Sequence, residues 1–192
     1  MCIRDRIKGL IAEYQQFVKS VSFVKRAVTL SDNFNYVFVG LRRVGKSYLM
    51  YQQIHHLIEI GISPEEILFF NFEDERIAGM DTEHLDMIKR CYEEMYSHRP
   101  IFFLDEIQIV PHWEQFVRRL ADQKYRVYVT GSNAKMLSKD IATTLGGRFM
   151  IQYVYPFSFR EYLSSNGVQL DKLWIYKNRS EAVSYTHLTL PT

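Results

Sequence analysis

The chain has 192 residues and a net charge of +2, with 47% hydrophobic and 15% aromatic content. That length and apolar content support one main domain with a buried core and exclude a disordered chain. The charge is too small, and the Lys and Arg residues too scattered, to signal a polyanionic partner; no apolar run approaches the roughly 20 residues that span a bilayer.

Both ends read as foreign to the fold. If Met1-Cys2-Ile3-Arg4-Asp5 is encoded ATG TGT ATA AGA GAC, the reverse complement GTC TCT TAT ACA CAT translates as Val183-Ser184-Tyr185-Thr186-His187. Such DNA is similar to a transposon-end adapter, so residues 1–6 and 183–192 are expected to be an assembly scar and 7–182 a natural fragment. Setting the scar aside removes Arg4, Asp5 and Arg6 and leaves Cys91 without a disulfide partner, as in a reducing compartment. No start resembles a secretory signal, and a cytoplasmic location is expected.

In chain order, Ile7, Leu10, Ile11, Tyr14, Phe17, Val18, Val21 and Val24 recur with helical period, so 7–28 is expected to be a scaffold helix, followed by a polar loop to residue 35. The run Tyr36-Val37-Phe38-Val39 reads as a strand. It leads into Gly40-Leu41-Arg42-Arg43-Val44-Gly45-Lys46-Ser47, and the helical pattern Tyr48-Leu49-Met50-Tyr51-Gln52-Gln53-Ile54 follows. Strand, glycine loop and helix N-terminus form the context of a P-loop. Gly40 and Gly45 let the backbone turn and aim its N–H groups inward, toward the positive end of the following helix. Lys46 is placed for the β- and γ-phosphates of a nucleotide and the Ser47 hydroxyl for Mg²⁺. Gly40, Arg42, Arg43, Val44, Gly45, Lys46, Ser47 and Tyr48 are therefore the expected nucleotide-binding set.

Ile67-Leu68-Phe69-Phe70 reads as a second strand. The acids of Asn71-Phe72-Glu73-Asp74-Glu75-Arg76 after it fit a solvated, helix-capping loop better than a ligand site. A helix over 81–97 precedes Ile101-Phe102-Phe103-Leu104-Asp105-Glu106, a strand buried on both faces with two acids at its C-terminal edge. Asp105 is placed to hold Mg²⁺ and Glu106 to orient and deprotonate the attacking water.

Trp113, Phe116, Val117 and Leu120 are core positions of a short helix over 114–122. Arg126-Val127-Tyr128-Val129-Thr130 is a fourth strand ending in Gly131-Ser132-Asn133, where Ser132 or Asn133 either senses the γ-phosphate or caps a helix over 134–138. Leu145-Gly146-Gly147-Arg148 precedes a fifth strand over 149–154. Arg148 either reaches a neighbouring subunit's γ-phosphate as a finger or pairs with a carboxylate of its own chain. Ser158 and Glu161 form a capping box for a helix that Ser164-Ser165-Asn166-Gly167 ends, and a further helix starts at Leu170. His55 and His56 face different sides of a helix and do not share a metal.

The P-loop, the strand ending Asp105-Glu106 and the strand ending in a polar sensor describe an α/β sheet of βα units with right-handed crossovers. Together, residues 40–47, Phe103-Leu104-Asp105-Glu106-Ile107-Gln108, Thr130-Gly131-Ser132-Asn133-Ala134 and Leu145-Gly146-Gly147-Arg148 with Tyr155-Pro156-Phe157-Ser158-Phe159-Arg160-Glu161 resemble prokaryotic AAA+-type ATPases whose ATPase domain precedes a C-terminal domain of unknown function. The resemblance covers about 36–163, with Leu41 where the family usually has proline. It implies a three-layer P-loop NTPase fold with strand order 5-1-4-3-2, Mg-ATP as ligand, and Lys46, Ser47, Asp105 and Glu106 as the nucleotide-site residues. It makes Ser132 or Asn133 the sensor and Arg148 a candidate finger, with a homo-oligomer as a candidate assembly. Residues 7–35 are then an N-terminal helix and loop, 36–163 the ATPase core, and 164–182 the start of a truncated helical lid or linker. The expected function is ATP hydrolysis that drives conformational change in a missing C-terminal domain. The alternative is a nucleotide-gated switch with little hydrolysis; DNA association would have to come from outside 7–182, and no membrane partner is expected.

Overall fold

The computed structural model describes residues 2–132 and 140–167. Asn133, the helix expected over 134–138, the helix from Leu170 and the C-terminal adapter-like segment lie outside the described residues.

Helix α1 spans Ile3–Ser20 and buries Ile7, Leu10, Ile11, Tyr14 and Val18 of the stripe expected from the sequence, while Phe17 of that stripe is exposed. It ends eight residues before the expected position at Val28. Val21 caps it in extended geometry, φ −68° and ψ 129°, because the run Val21-Ser22-Phe23-Val24 is rich in side chains that resist helical packing. The helix also runs through the expected boundary between residues 6 and 7: Arg4 pairs with Glu94, and Arg6 Nη1 donates to Arg76 O at 2.8 Å.

The remaining elements alternate: β1 (Asn35–Val39), α2 (Lys46–Glu59), β2 (Ile67–Asn71), α3 (Thr82–Met95), β3 (Ile101–Asp105), α4 (Trp113–Asp122), β4 (Val127–Gly131), α5 (Asp140–Thr144) and β5 (Phe149–Tyr153). All strands pair in parallel, in the order β2-β3-β4-β1-β5, the expected 5-1-4-3-2 read from the other side. Every residue of β3 and β4 is buried, so both faces of the sheet centre are covered, as a parallel sheet flanked by helices requires. The core is aromatic. Tyr128 on β4 stacks on Phe103 of β3 at 4.5 Å and on Tyr36 of β1 at 5.9 Å, which fixes register across three adjacent strands.

Parallel pairing puts all strand C-terminal ends on one edge: Val39 opposite Gly131, and Asn71 opposite Asp105. The residues preceding the strands collect on the other edge, where Asn35 pairs with Phe149 beside Arg148. The chain divides into two compact units after Pro156. In the second, α6 (Phe159–Ser165) starts at the expected box, with Glu161 N donating to Ser158 Oγ and Ser158 N to Glu161 Oε2.

Candidate functional site

The loop between β1 and α2 has two residues in left-handed geometry, Arg43 at φ 64° and Gly45 at φ 94°. Gly40 is required for a different reason than the turn expected of it. A Cβ there would lie 2.4 Å from Val154 O and 2.9 Å from Val44 Cγ2, so the absence of a side chain permits a close backbone approach. Gly45 caps α2 without any side-chain bond, leaving the positive end of a 14-residue helix facing the loop. Arg42, Arg43 and Tyr48 are exposed, Val44 and Ser47 are half-buried and Lys46 is buried.

Lys46 Nζ donates to Leu41 O at 3.1 Å and lies 3.4 Å from Glu106 Oε1. The P-loop lysine and the acid after β3 are thus in direct ionic contact. Asp105 is 3% exposed and accepts from Thr130 Oγ1 at 2.5 Å, with the Ser47 hydroxyl beside it. Burial pushes the Asp105 carboxyl up to about 6, against the Thr130 and Ser47 hydrogen bonds and the Lys46 charge, which favour its ionised form. Glu106 sits in left-handed geometry at φ 52°, with its N–H bonded to Thr130 Oγ1 at 2.8 Å. Its Oε2 accepts from Ser132 Oγ at 2.9 Å and from Gln108 Nε2 at 2.6 Å.

Lys46, Ser47, Asp105, Glu106 and Ser132 are therefore brought together at one sheet edge. Arg148 is not among them. It precedes β5 on the opposite edge, where its Nε donates to Asp122 Oδ1 at 2.5 Å and its Nη1 to Gly146 O at 3.3 Å. Of its two sequence readings, the own-chain ion pair is the one present; a finger would have to act on another molecule. The acids after β2 divide. Glu73 pairs with Arg42 of the P-loop at 2.8 Å, while Asp74 caps the 3-10 turn Glu75–Ile77 and pairs with Arg76, the capping role expected.

Three further residues belong to the site and were missed from sequence. Thr130 joins Asp105 to Glu106 and was legible as the one polar residue in an apolar strand. Gln108 returns to Glu106 across a tight turn, and its buried Oε1 has no hydrogen-bond partner, a deficit worth about 1–3 kcal/mol. Arg26, buried and lying 18 residues before Val44, donates Nη1 to Val44 O at 3.2 Å and Nη2 to Tyr155 O at 2.7 Å; nothing local in the sequence marks it.

Among the described residues no group of three His, Cys, Asp or Glu side chains is placed to hold a metal by itself. The donor pair present, the Ser47 hydroxyl and the Asp105 carboxylate, suits Mg²⁺, which takes few protein oxygens and fills its octahedron with waters and substrate phosphates. No helix among the described residues is long and apolar enough to cross a membrane.

A sequence model of the family described as "AAA domain" matches residues 32–163. An uncharacterized protein of Methanocaldococcus jannaschii is 31% identical over 92% of this chain and 39% of its own length. An uncharacterized protein of Haemophilus influenzae is 34% identical over 85% of this chain and 42% of its own. The chain spans about two fifths of these curated relatives. Among solved structures, AMPPCP-bound DnaA from Aquifex aeolicus is similar at a TM-score of 0.48 and 14% identity, over 93% of this chain and 57% of that one.

Proposed function

We propose, from the premise that this chain belongs to the AAA domain family of P-loop, ATPase-type nucleotide-binding domains, that it binds Mg-ATP at the β1–α2 loop and hydrolyses it. The observation that carries the reading is the polar cluster of Lys46, Ser47, Asp105, Thr130 and Glu106 at the sheet edge where parallel α/β folds bind ligands.

The backbone of residues 40–47 and the start of α2 cradle the phosphates, and Lys46 neutralises charge between the β- and γ-phosphoryl groups. Ser47 and Asp105 hold Mg²⁺, which when bound supplies further positive charge to the phosphate oxygens. Glu106 accepts a proton from the attacking water. The water oxygen bonds to the γ-phosphorus while the bond from that phosphorus to the bridging oxygen breaks, and ADP leaves with the electron pair. Ser132 or its neighbour Asn133 is the polar sensor of the γ-phosphate, and Ser132 steers Glu106 through the bond to Oε2. Residues 36–163 are the ATPase core and 164–182 the start of a lid or linker. The work done is a conformational change in a C-terminal domain of the longer protein, within a homo-oligomer in the cytoplasm.

A second reading, a nucleotide-gated switch that hydrolyses little, is favoured by the ion pair that engages Arg148, the candidate finger, with Asp122 of its own chain. One experiment separates the two. In the full chain, Glu106→Gln should leave ATP affinity within about threefold and lower single-turnover hydrolysis by about 100-fold or more. Retained turnover removes Glu106 from the mechanism; no turnover in the wild type favours the switch.

A further inference from the structure

Gln108 has no role in the scheme above, yet it touches the group on which that scheme depends. The left-handed geometry of Glu106 reverses the chain into the 3-10 turn Ile107–Ile109, closed by Ile109 N donating to Glu106 O at 3.2 Å. A side chain two residues on is thereby folded back, and Gln108 Nε2 lies 2.6 Å from Glu106 Oε2. A carboxylate only accepts hydrogen bonds, so the amide orientation follows from the contact: nitrogen toward Glu106, oxygen away.

Two consequences follow from that orientation. Glu106 Oε2 is held by donors from two separate elements, Gln108 after β3 and Ser132 after β4, while Oε1 faces Lys46. The other arm of the same amide, Gln108 Oε1, is buried and has no hydrogen-bond partner. Buried acceptors in folded proteins are satisfied almost without exception, by protein or by water. That oxygen is shut off from water, so the polar contribution of the amide is its bond to the Glu106 carboxylate.

We infer that Gln108 is a positioning residue for Glu106: its amide nitrogen, together with the Ser132 hydroxyl, fixes Oε2 and so sets the direction in which the carboxylate meets the attacking water. The inference rests on the hydrolysis reading of the site and adds a specific residue to it.

The test compares ATP binding, melting temperature and single-turnover hydrolysis in the full chain for the wild type, Glu106→Gln, Gln108→Met and the double variant. Methionine keeps the length of the side chain and removes both polar arms. Gln108→Met should bind ATP within about twofold of wild type and melt within about 2 °C of it, yet hydrolyse about 10- to 100-fold more slowly. Added to Glu106→Gln it should cause no further loss, since Gln108 acts through that carboxylate. Retained turnover in Gln108→Met, a further loss in the double variant, or losses of binding and melting temperature that match the loss of rate would each overturn the role. If wild type and Glu106→Gln are equally inert, the hydrolysis reading fails first and this inference falls with it; if they differ and Gln108→Met equals wild type, the inference alone fails.

Discussion

Thr130 is a small side chain with two obligations. It donates to Asp105 and accepts from the backbone of Glu106, so one hydroxyl fixes the direction of both acids. Thr130→Val keeps the shape and removes the hydroxyl, leaving a buried N–H unpaired and Asp105 short of a donor. The expected outcome is a loss of about 1–3 kcal/mol in stability, read by denaturant unfolding, and a fall of about tenfold or more in single-turnover rate, with Thr130→Ser restoring most of both. Equal unfolding midpoints for Val and Thr would show that the bridge carries little. At this scale the sequence was informative about chemistry and silent about connection. Lys46, Ser47, Asp105 and Glu106 announce themselves through residue type beside a glycine loop and a strand end. Gln108 and Arg26 do not, because their roles depend on a left-handed reversal and on an 18-residue separation that no local pattern encodes.

Between elements, the loop after β2 is tied to α1 by a charged cluster. Arg76 makes paired contacts to Asp74 and to Glu13, and Tyr14 donates to Asp74 at 2.6 Å. The Arg76 guanidinium, aided by the Tyr14 hydroxyl, holds Asp74 well below the usual carboxylate range, and Arg76 likewise lowers Glu13. Groups depressed in the folded state stabilise it above their unfolded values near pH 4, and that contribution is lost as pH falls below them. Asp74→Asn should therefore melt about 2–4 °C lower than wild type at pH 7, with the difference closing below about pH 4. A constant gap across a pH series of thermal melts would rule out the ionic origin. The elements themselves were largely legible. Short, mostly apolar runs between turn signals located the strands, and in β3 and β4, buried along their whole length, there is no alternation to misread. Helix α1 overran in the sequence reading because Val21 and Val24 continue its stripe while disfavouring its backbone.

For the whole molecule, parallel pairing divides labour between the two sheet edges. The glycine loop and the two acids gather at the strand C-termini, and Arg148 lies at the other edge, held by Asp122. If Arg148 completes a neighbour's site, Arg148→Ala should leave ATP affinity unchanged and lower steady-state turnover by about 10³-fold, whereas Asp122→Ala should spare it. Turnover per molecule in the wild type should also rise with protein concentration. Turnover of Arg148→Ala equal to wild type would leave the arginine as a structural pair alone. Strand order was available only through likeness to a family, because periodicity says what is buried and not which strand lies beside which.

The close approach at Gly40 has a mechanical corollary. Val154 N donates to Val39 O at 2.7 Å, Val154 O crowds Gly40, and Arg26 bridges Tyr155 O to Val44 O. The loop between β1 and α2 is thus clamped to the stretch by which the polypeptide leaves the first compact unit. Tension applied along that stretch would be transmitted straight into the loop, and a change in the loop would be transmitted outward by the same short linkage.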